Sequence, residues 1–227
     1  MVYYKYERIF YMDNVVILAD GAFPEAGSSI AILRNASLII CCDGAADALV
    51  KFNMEPDFIV GDLDSVSAET KARFPERLFK IEEQETCDLA KCFRFAAGRG
   101  LTVTHLLGAS GKREDHLLGN LAQFAEFSRT FPGMKLVTDY GFFVAATGHA
   151  AFNGVTPGTQ VSFFSFDPAQ RVSASGVQYP LKDRQLFWWY EATLNCAVSS
   201  TVTVSSSGTM PVLIYFAAAP DSGIVSQ

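Results

Sequence analysis

Asp57-Phe58-Ile59-Val60-Gly61-Asp62-Leu63-Asp64-Ser65 is the stretch from which the 227-residue chain is read. Phe58, Ile59 and Val60 form a short apolar run, the signature of a buried strand. Gly61 ends the run and lets the backbone turn tightly. Asp62 and Asp64 follow one residue apart, and in extended chain residues i and i+2 point to the same side. Two carboxylates are therefore expected at one spot just past a strand end. Two such anions repel unless a cation sits between them. A hard divalent ion such as Mg²⁺ takes one or two carboxylates together with substrate phosphates. The same residues also suit a polar turn in which Asp64 and Ser65 cap the next helix.

Outward from this stretch, Val15 to Ala19, Leu38 to Cys42, Val103 to Leu107 and Leu136 to Thr138 are further apolar runs, with a shorter one at Leu78 to Ile81. Between them, Ser29 to Arg34, Ala45 to Phe52, Ser67 to Phe74, Asp88 to Ala97 and Arg113 to Phe127 read as helices. Ser67 is a candidate N-cap, and Gly98 and Gly100 are stop signals. Continuous apolar strands alternating with helices predict a parallel sheet covered on both faces. Around Ala146 the pattern changes. Val161 to Phe166, Arg171 to Ala174, Gln185 to Tyr190, Val198 to Val204 and Val212 to Ala217 read as strands separated by Gly and Pro. The expected fold class is α/β: an N-terminal three-layer domain with a mostly parallel sheet over residues 1–150, then a C-terminal all-β sandwich domain over residues 151–227.

Composition narrows the function. A hydrophobic fraction of 49% with 19 Phe supplies a sizeable core. The net charge is −6 and no basic run exceeds Lys112-Arg113, which argues against a nucleic-acid surface. The five cysteines are odd in number and form no Cys-x-x-Cys, so reduced thiols in a cytoplasmic protein are expected. Met1 to Asn14 is rich in Tyr and broken by charge, unlike the apolar core of a signal peptide or a membrane span.

The acids are placed with a pattern. Asp20, Asp43, Asp62 and Asp64 all fall at or just past the C-terminal ends of predicted strands, the edge at which open parallel sheets bind ligands. Gly108-Ala109-Ser110-Gly111 lies between a strand and a helix; its small residues allow phosphate to approach backbone N–H groups, or form an ordinary turn. Arg113 opens that helix and can fork onto phosphate oxygens. His116 and Asn120 share a helical face below it, where His116 is either a cleft residue or a structural histidine. Asp88 and Lys91 are either an acidic cap with its i,i+3 ion pair or a metal and phosphate pair.

Taken together, these motifs resemble the thiamine pyrophosphokinase (thiamine diphosphokinase) family. Asp43-Gly44-Ala45 looks like its strand-end Asp-Gly motif, and Pro56 to Ser65 matches its Gly-Asp-x-Asp-Ser motif almost throughout. Gln84 to Lys91 resembles its Gln-Asp-x-Thr-Asp-x-x-Lys motif, with Glu85 for the acid and Cys87 for the threonine. Gly108 to His116, with Asn120, is similar to its Gly-rich Arg-x-Asp-His segment. Gly176 to Leu181 resembles its Gly-Leu-x-Tyr-Pro-Leu. The family's Ser-Asn pair reads Leu194-Asn195 here.

The resemblance implies transfer of the diphosphate of ATP to the hydroxyethyl group of thiamine, with Mg²⁺ held by Asp43, Asp62, Asp64 and Asp88. It implies catalytic roles for Asp62, Asp64, Asp88, Arg113 and Asp115. Asp43, Gly108, Lys91, Arg113, His116 and Asn120 would bind the nucleotide. Gln84, Asp88, Asn195 and Trp188 would bind thiamine, with Trp189 the alternative ring. It further implies a cytoplasmic homodimer whose sites are shared between chains, with no nucleic-acid or membrane partner. Two rival readings share the acid cluster: a pyrophosphokinase acting on a pterin alcohol, and a non-catalytic thiamine or nucleotide sensor.

Overall fold

The computed structural model describes residues 14–226, so the reading of Met1 to Asn14 lies, but for Asn14, outside the described residues. Six strands, β1 (Val15–Leu18), β2 (Leu38–Cys42), β3 (Phe58–Gly61), β4 (Leu78–Lys80), β5 (Val103–Leu107) and β6 (Lys135–Thr138), run parallel in the order β4-β3-β2-β1-β5-β6. Helices α1 (Gly27–Arg34), α2 (Ala45–Lys51) and α3 (Ala68–Arg73) lie on one face, and α4 (Asp88–Gly98) and α5 (Glu114–Phe127) on the other. Buried on both sides, β1 is apolar at every position. Alternate residues feed two cores: Val16 and Leu18 pack towards Leu33 and Leu49, whereas Val15 and Ile17 pack towards Phe93 and Phe124. The Ser67 hydroxyl caps α3, accepting the Thr70 N–H at 3.2 Å.

From the edge strand β4 the chain crosses by α4 and re-enters beside β1 as β5. The strand order reverses there, and a crevice opens at the carboxyl ends of β1 and β5.

After β6 the chain turns at Asp139–Tyr140 into β7 (Gly141–Ala146), antiparallel to β6. Strands β8 (His149–Asn153), β9 (Gln160–Ser165), β10 (Arg171–Ser175), β11 (Leu181–Gln185), β12 (Asn195–Cys196), β13 (Thr201–Ser206), β14 (Val212–Phe216) and β15 (Val225–Ser226) follow. Of these, β14, β9 and β12 extend the first sheet, giving ten strands in the order β12-β9-β14-β7-β6-β5-β1-β2-β3-β4. The others form a second, antiparallel sheet, β11-β10-β13-β8-β15, which shares a core with the α1 and α2 face. The antiparallel sandwich thus borrows one of its layers from the end of the long sheet. Its seam is aromatic: the Phe216 ring lies 5.6 Å from Phe142 on β7 and 5.6 Å from Phe152 on β8.

The C-terminal strands depart from the expected ones at three places. Strands β7 and β8 were not among them: β8 is mostly alanine and polar residues, while the Phe142-Phe143-Val144 run of β7 is a strand signal that the expected pattern left out. Val198 to Val204 was expected as one strand, but β13 starts at Thr201 and Val198 is exposed. Gln185 to Tyr190 was expected as a strand, but β11 ends at Gln185 and Phe187–Tyr190 is a loop. Glu191 closes that loop, its carboxylate accepting the Trp188 N–H at 2.9 Å while its own N–H donates to the Trp188 carbonyl at 3.1 Å.

Phe216 is fully buried where the two sheets meet. Phe216→Ala is expected to cost about 3–5 kcal/mol, the range for deleting a buried aromatic, as read from urea unfolding followed by far-UV dichroism. A loss below about 1 kcal/mol would show that the seam does not depend on this ring.

Candidate active site

Asp43 follows β2 in the left-handed region, with φ 42°, a conformation that Asp tolerates better than most residues. Its side chain is buried, 3% exposed. Oδ2 accepts the Ser65 N–H at 3.2 Å, while Oδ1 is buried with no hydrogen-bond partner among the described residues. A buried carboxylate oxygen without a donor is costly and calls for a cation or proton.

Two more carboxylates meet it. One oxygen from each of Asp43, Asp62 and Asp64 falls within a cluster no wider than 4.8 Å. The route differs from the expected extended chain. Leu63 is left-handed, with φ 67°, and the Asp62 carboxylate accepts the Asp64 N–H at 3.2 Å. A tight turn, rather than strand alternation, brings the pair together. Ser65 Oγ donates to Asp64 at 2.9 Å and Gln84 Nε2 to Asp62 at 3.1 Å. The Gln84 bond, with the Asp64 amide, lowers the Asp62 carboxyl below its ordinary range.

Asp88, the first residue of α4, reaches the same place over Gly61. A Cβ on Gly61 would lie 3.0 Å from the Asp43 Cβ and 3.2 Å from Asp88 Oδ1, so a larger residue would press on both carboxylate side chains and glycine suits the close approach. Lys91 is buried one turn along α4 and donates to Asp88 at 3.1 Å, the i,i+3 pair that was one of its two readings. Burial disfavours its ammonium, but Asp88 outweighs this and the net shift is upward.

The facing wall is the Gly108-Ala109-Ser110-Gly111 loop and the start of α5. Gly108 has φ +67°, and a Cβ there would lie 2.4 Å from the Ala19 carbonyl. The loop packs backbone to backbone on the end of β1, its Gly108 and Ser110 carbonyls each accepting at 2.7 Å from the Gly21 and Ala22 N–H groups. Asn120 Nδ2 donates to the Ala109 carbonyl at 2.9 Å. Arg113 immediately precedes α5 and forks onto Asp115, with Nε at 3.1 Å and a terminal nitrogen at 2.6 Å. That pairing holds the Asp115 carboxyl below its usual range. Asp20, Asp43, Asp88, Lys112, Arg113 and His116 line one cleft between the two walls.

Asn195 and Trp188 do not join this cleft. The Asn195 side chain is buried; it accepts from the Tyr179 and Cys196 N–H groups at 3.1 and 2.9 Å and donates to the Tyr179 carbonyl at 2.8 Å. Trp189 donates to the Ser165 carbonyl at 3.0 Å and packs edge-on against Phe166, whereas Trp188 is 66% exposed. β12 and β2 are seven places apart in the sheet, about 30 Å at ordinary strand spacing.

Two features escaped the sequence. Asp47 on α2 accepts from the Ser67 N–H at 2.9 Å, from the Ser67 hydroxyl at 2.7 Å and from the Thr70 hydroxyl, fixing α3 and the loop that carries Asp62 and Asp64. Its position four residues past Asp43 was the available signal. The pairing of Lys112 with Asp20 at 2.8 Å spans residues far apart in sequence and left no local signal.

Residues 30–137 match the family model described as thiamin pyrophosphokinase, catalytic domain, and residues 141–215 match thiamin pyrophosphokinase, substrate-binding domain. The chain is 31% identical over 118 residues to thiamine pyrophosphokinase 1 of Oryza sativa subsp. japonica, a match covering 41% of this chain and 45% of that protein. The chain thus spans less than half the length of this relative. Its fold is that of the thiamine pyrophosphokinase from Bacillus subtilis, with TM-score 0.74, 19% identity and coverage of 91% of this chain and 99% of that one. The thiamin pyrophosphokinase from Candida albicans gives TM-score 0.70 at 15% identity, covering 91% and 94%.

Burial, opposed by the Ser65 amide and then aided by repulsion from Asp88, Asp62 and Asp64, pushes the Asp43 carboxyl up to about 6. An unfolded Asp titrates near 3.8, so the folded chain binds the extra proton between these values. Stability without metal is therefore expected to fall as pH rises from about 4 to about 6 and to stay lowered above that. Asp43→Asn removes the titrating group and should raise the thermal midpoint in chelator at pH 7.5 while changing it little at pH 4. An equal shift at both pH values would contradict the burial of an unpaired charge.

Proposed function

The chain belongs to the thiamin pyrophosphokinase family, and we propose that it transfers the diphosphate of ATP to the hydroxyethyl oxygen of thiamine, releasing AMP. The observation that carries this reading is the convergence of Asp43, Asp62 and Asp64 within 4.8 Å, with one buried Asp43 oxygen unpartnered. An all-oxygen donor set of that kind fits a hard divalent cation. Asp43, Asp62, Asp64 and Asp88 would hold Mg²⁺, which when bound neutralises charge on phosphoryl oxygens.

In the proposed reaction the alcohol oxygen attacks the β-phosphorus. The bond from that phosphorus to the α–β bridging oxygen breaks, AMP departs with that oxygen, and the hydroxyl proton is released. Arg113, with Gly108 and Asn120 shaping its wall, would bind phosphate oxygens as negative charge builds on them. Lys91 would act through Asp88, holding that carboxylate in place. Gln84 would do the same for Asp62. Asp115 would keep the Arg113 fork aimed until phosphate replaces it, and His116 would lie against the nucleotide. These acids and cations belong to the proposed ATP-binding part, residues 1–150, and the thiamine contacts to residues 151–227.

The separation of β12 from β2 supports a homodimer with shared sites. Asn195 would fix Tyr179, and Trp188 would offer its free face to the thiazolium of thiamine bound at the partner's acids. A cytoplasmic location fits this soluble substrate set, and no described helix is long and apolar enough to cross a membrane.

AMP release assayed with thiamine, with a pterin alcohol and with no acceptor tests the reaction; AMP formation dependent on thiamine is expected, and equal or greater turnover of the pterin alcohol would redirect it. In the same assay Asp62→Asn and Asp64→Asn should each lower turnover by at least about 10²-fold while leaving the fold intact. Near-normal turnover in both would remove the metal assignment.

Asp64→Asn and Trp188→Ala chains, each nearly inactive alone, should recover activity when co-expressed. In a two-fold dimer about a quarter of all sites would then carry neither lesion. If verified mixed dimers show no recovery, each site is built within one chain.

A further inference from the structure

The two permanent cations that line the cleft, Lys112 and Arg113, are both held by carboxylates. The two pairs differ in kind. Asp115 lies two residues from Arg113, so that pair is local and moves as one unit. Asp20 and Lys112 come from opposite sides of the strand crossover, 92 residues apart, and meet at 2.8 Å. Asp20 lies two residues past the end of β1 and packs over the start of α2, since a Cβ on Gly44 would lie 3.0 Å from Asp20 Oδ2. Lys112 follows the glycine loop. The pair therefore straddles the cleft, with Asp20 packed against Gly44, the residue after Asp43, and Lys112 next to Arg113 in the chain.

Both partners are about half exposed, 56% for the Lys112 side chain and 44% for Asp20, so water screens the pair and little is needed to part it. A lysine ammonium is a compact point charge on a flexible stem, able to swing between acceptors. A polyphosphate offers several anionic oxygens where Asp20 offers one carboxylate.

On the proposed diphosphate transfer, on which this step rests, we infer that Lys112 is a polyphosphate-binding residue and that Asp20 is its placeholder. Asp20 keeps the ammonium at the mouth while the cleft lacks nucleotide and yields it to a phosphate oxygen when nucleotide enters. The exchange removes one side-chain link between the glycine loop and the segment after β1, while the backbone hydrogen bonds from Gly21 and Ala22 remain. Asp20 is in this account a positioning residue, separate from the acids that would hold a cation.

Inorganic tripolyphosphate with Mg²⁺, titrated into the full chain by calorimetry, isolates this contact from thiamine and from turnover. Lys112→Gln should weaken binding about tenfold, the effect of losing one charge-assisted contact. Asp20→Asn should tighten it about threefold, because the competing carboxylate is gone. Asp20→Asn should have no effect in a Lys112→Gln background. Both residues are exposed, and unchanged thermal midpoints establish that the variants fold. Weaker binding in Asp20→Asn would make Asp20 a cation ligand and overturn the inference. So would unchanged binding in Lys112→Gln, or an Asp20→Asn effect that persists without Lys112. Absence of tripolyphosphate binding to the unsubstituted chain would also overturn it, while the AMP-release assay judges the transfer reaction separately.

Discussion

β2, β3 and α4 converge on the α-carbon of Gly61, where an added Cβ would crowd Asp43 and Asp88. The side chains of Asp43 and Asp88 close over that spot, and Asp62 begins one residue later. This contact sets how near the carboxylates can come. It also holds them together against their own repulsion, since none of the three segments can back away without unpacking the apolar runs behind it. Cys41 and Ile59 lie buried beneath one face of these strands, and Cys42, Val60 and Phe93 beneath the other. The packed strands thus supply the free energy that keeps an acidic cluster assembled. Local strain gathers beside it: Asp43 and Leu63 are both left-handed without being glycine.

Charge in the cleft is balanced in pairs. Asp88 has Lys91, Asp20 has Lys112 and Asp115 has Arg113. Asp43 has no such partner among the described residues, and it is the most deeply buried of the cleft acids. The asymmetry separates roles. The paired acids hold cations beside the cluster, whereas Asp43, Asp62 and Asp64 converge with no ion-paired cation among the described residues, a donor set fit for a divalent ion.

Much of this was legible in the sequence because the signals were local and physical. The apolar runs of β1, β2, β3 and β5 carry no polar residue that would contradict burial on both faces, apart from Thr104 and His105 in β5. Ser67 announced its helix start, and Asp20, Asp43, Asp62 and Asp64 were read at or just past strand ends, where the structure places them. What was not legible depended on tertiary partners. β8, with Ala150, Ala151 and polar ends, becomes a strand because β13 and β15 pair with it, whereas the Phe142-Phe143-Val144 run of β7 was a local signal left unread. Phe187 to Tyr190 looks like a strand by composition, yet Glu191 and Ser165 hold it as a loop. The left-handed Leu63 could not be foreseen, since leucine gives no hint of positive φ. Asp47 and Asp20 are ordinary acids until the Ser67 and Lys112 side chains arrive beside them.

The ten-stranded sheet has a mechanical consequence. Many two-part enzymes close on substrate by swinging one lobe about a hinge. Here the join between the parallel and antiparallel parts is itself a ladder, pairing Leu136 with Phe143, Val137 with Phe142 and Thr138 with Gly141. Flexing it would pull apart buried hydrogen bonds that have no water to turn to. The two parts of one chain are therefore a single stiff plank rather than a jaw. In the proposed reaction, admission of substrates and escape of products would fall to the loops at strand ends, such as the glycine turn beside β1, since loops move on faster timescales and smaller scales than lobes.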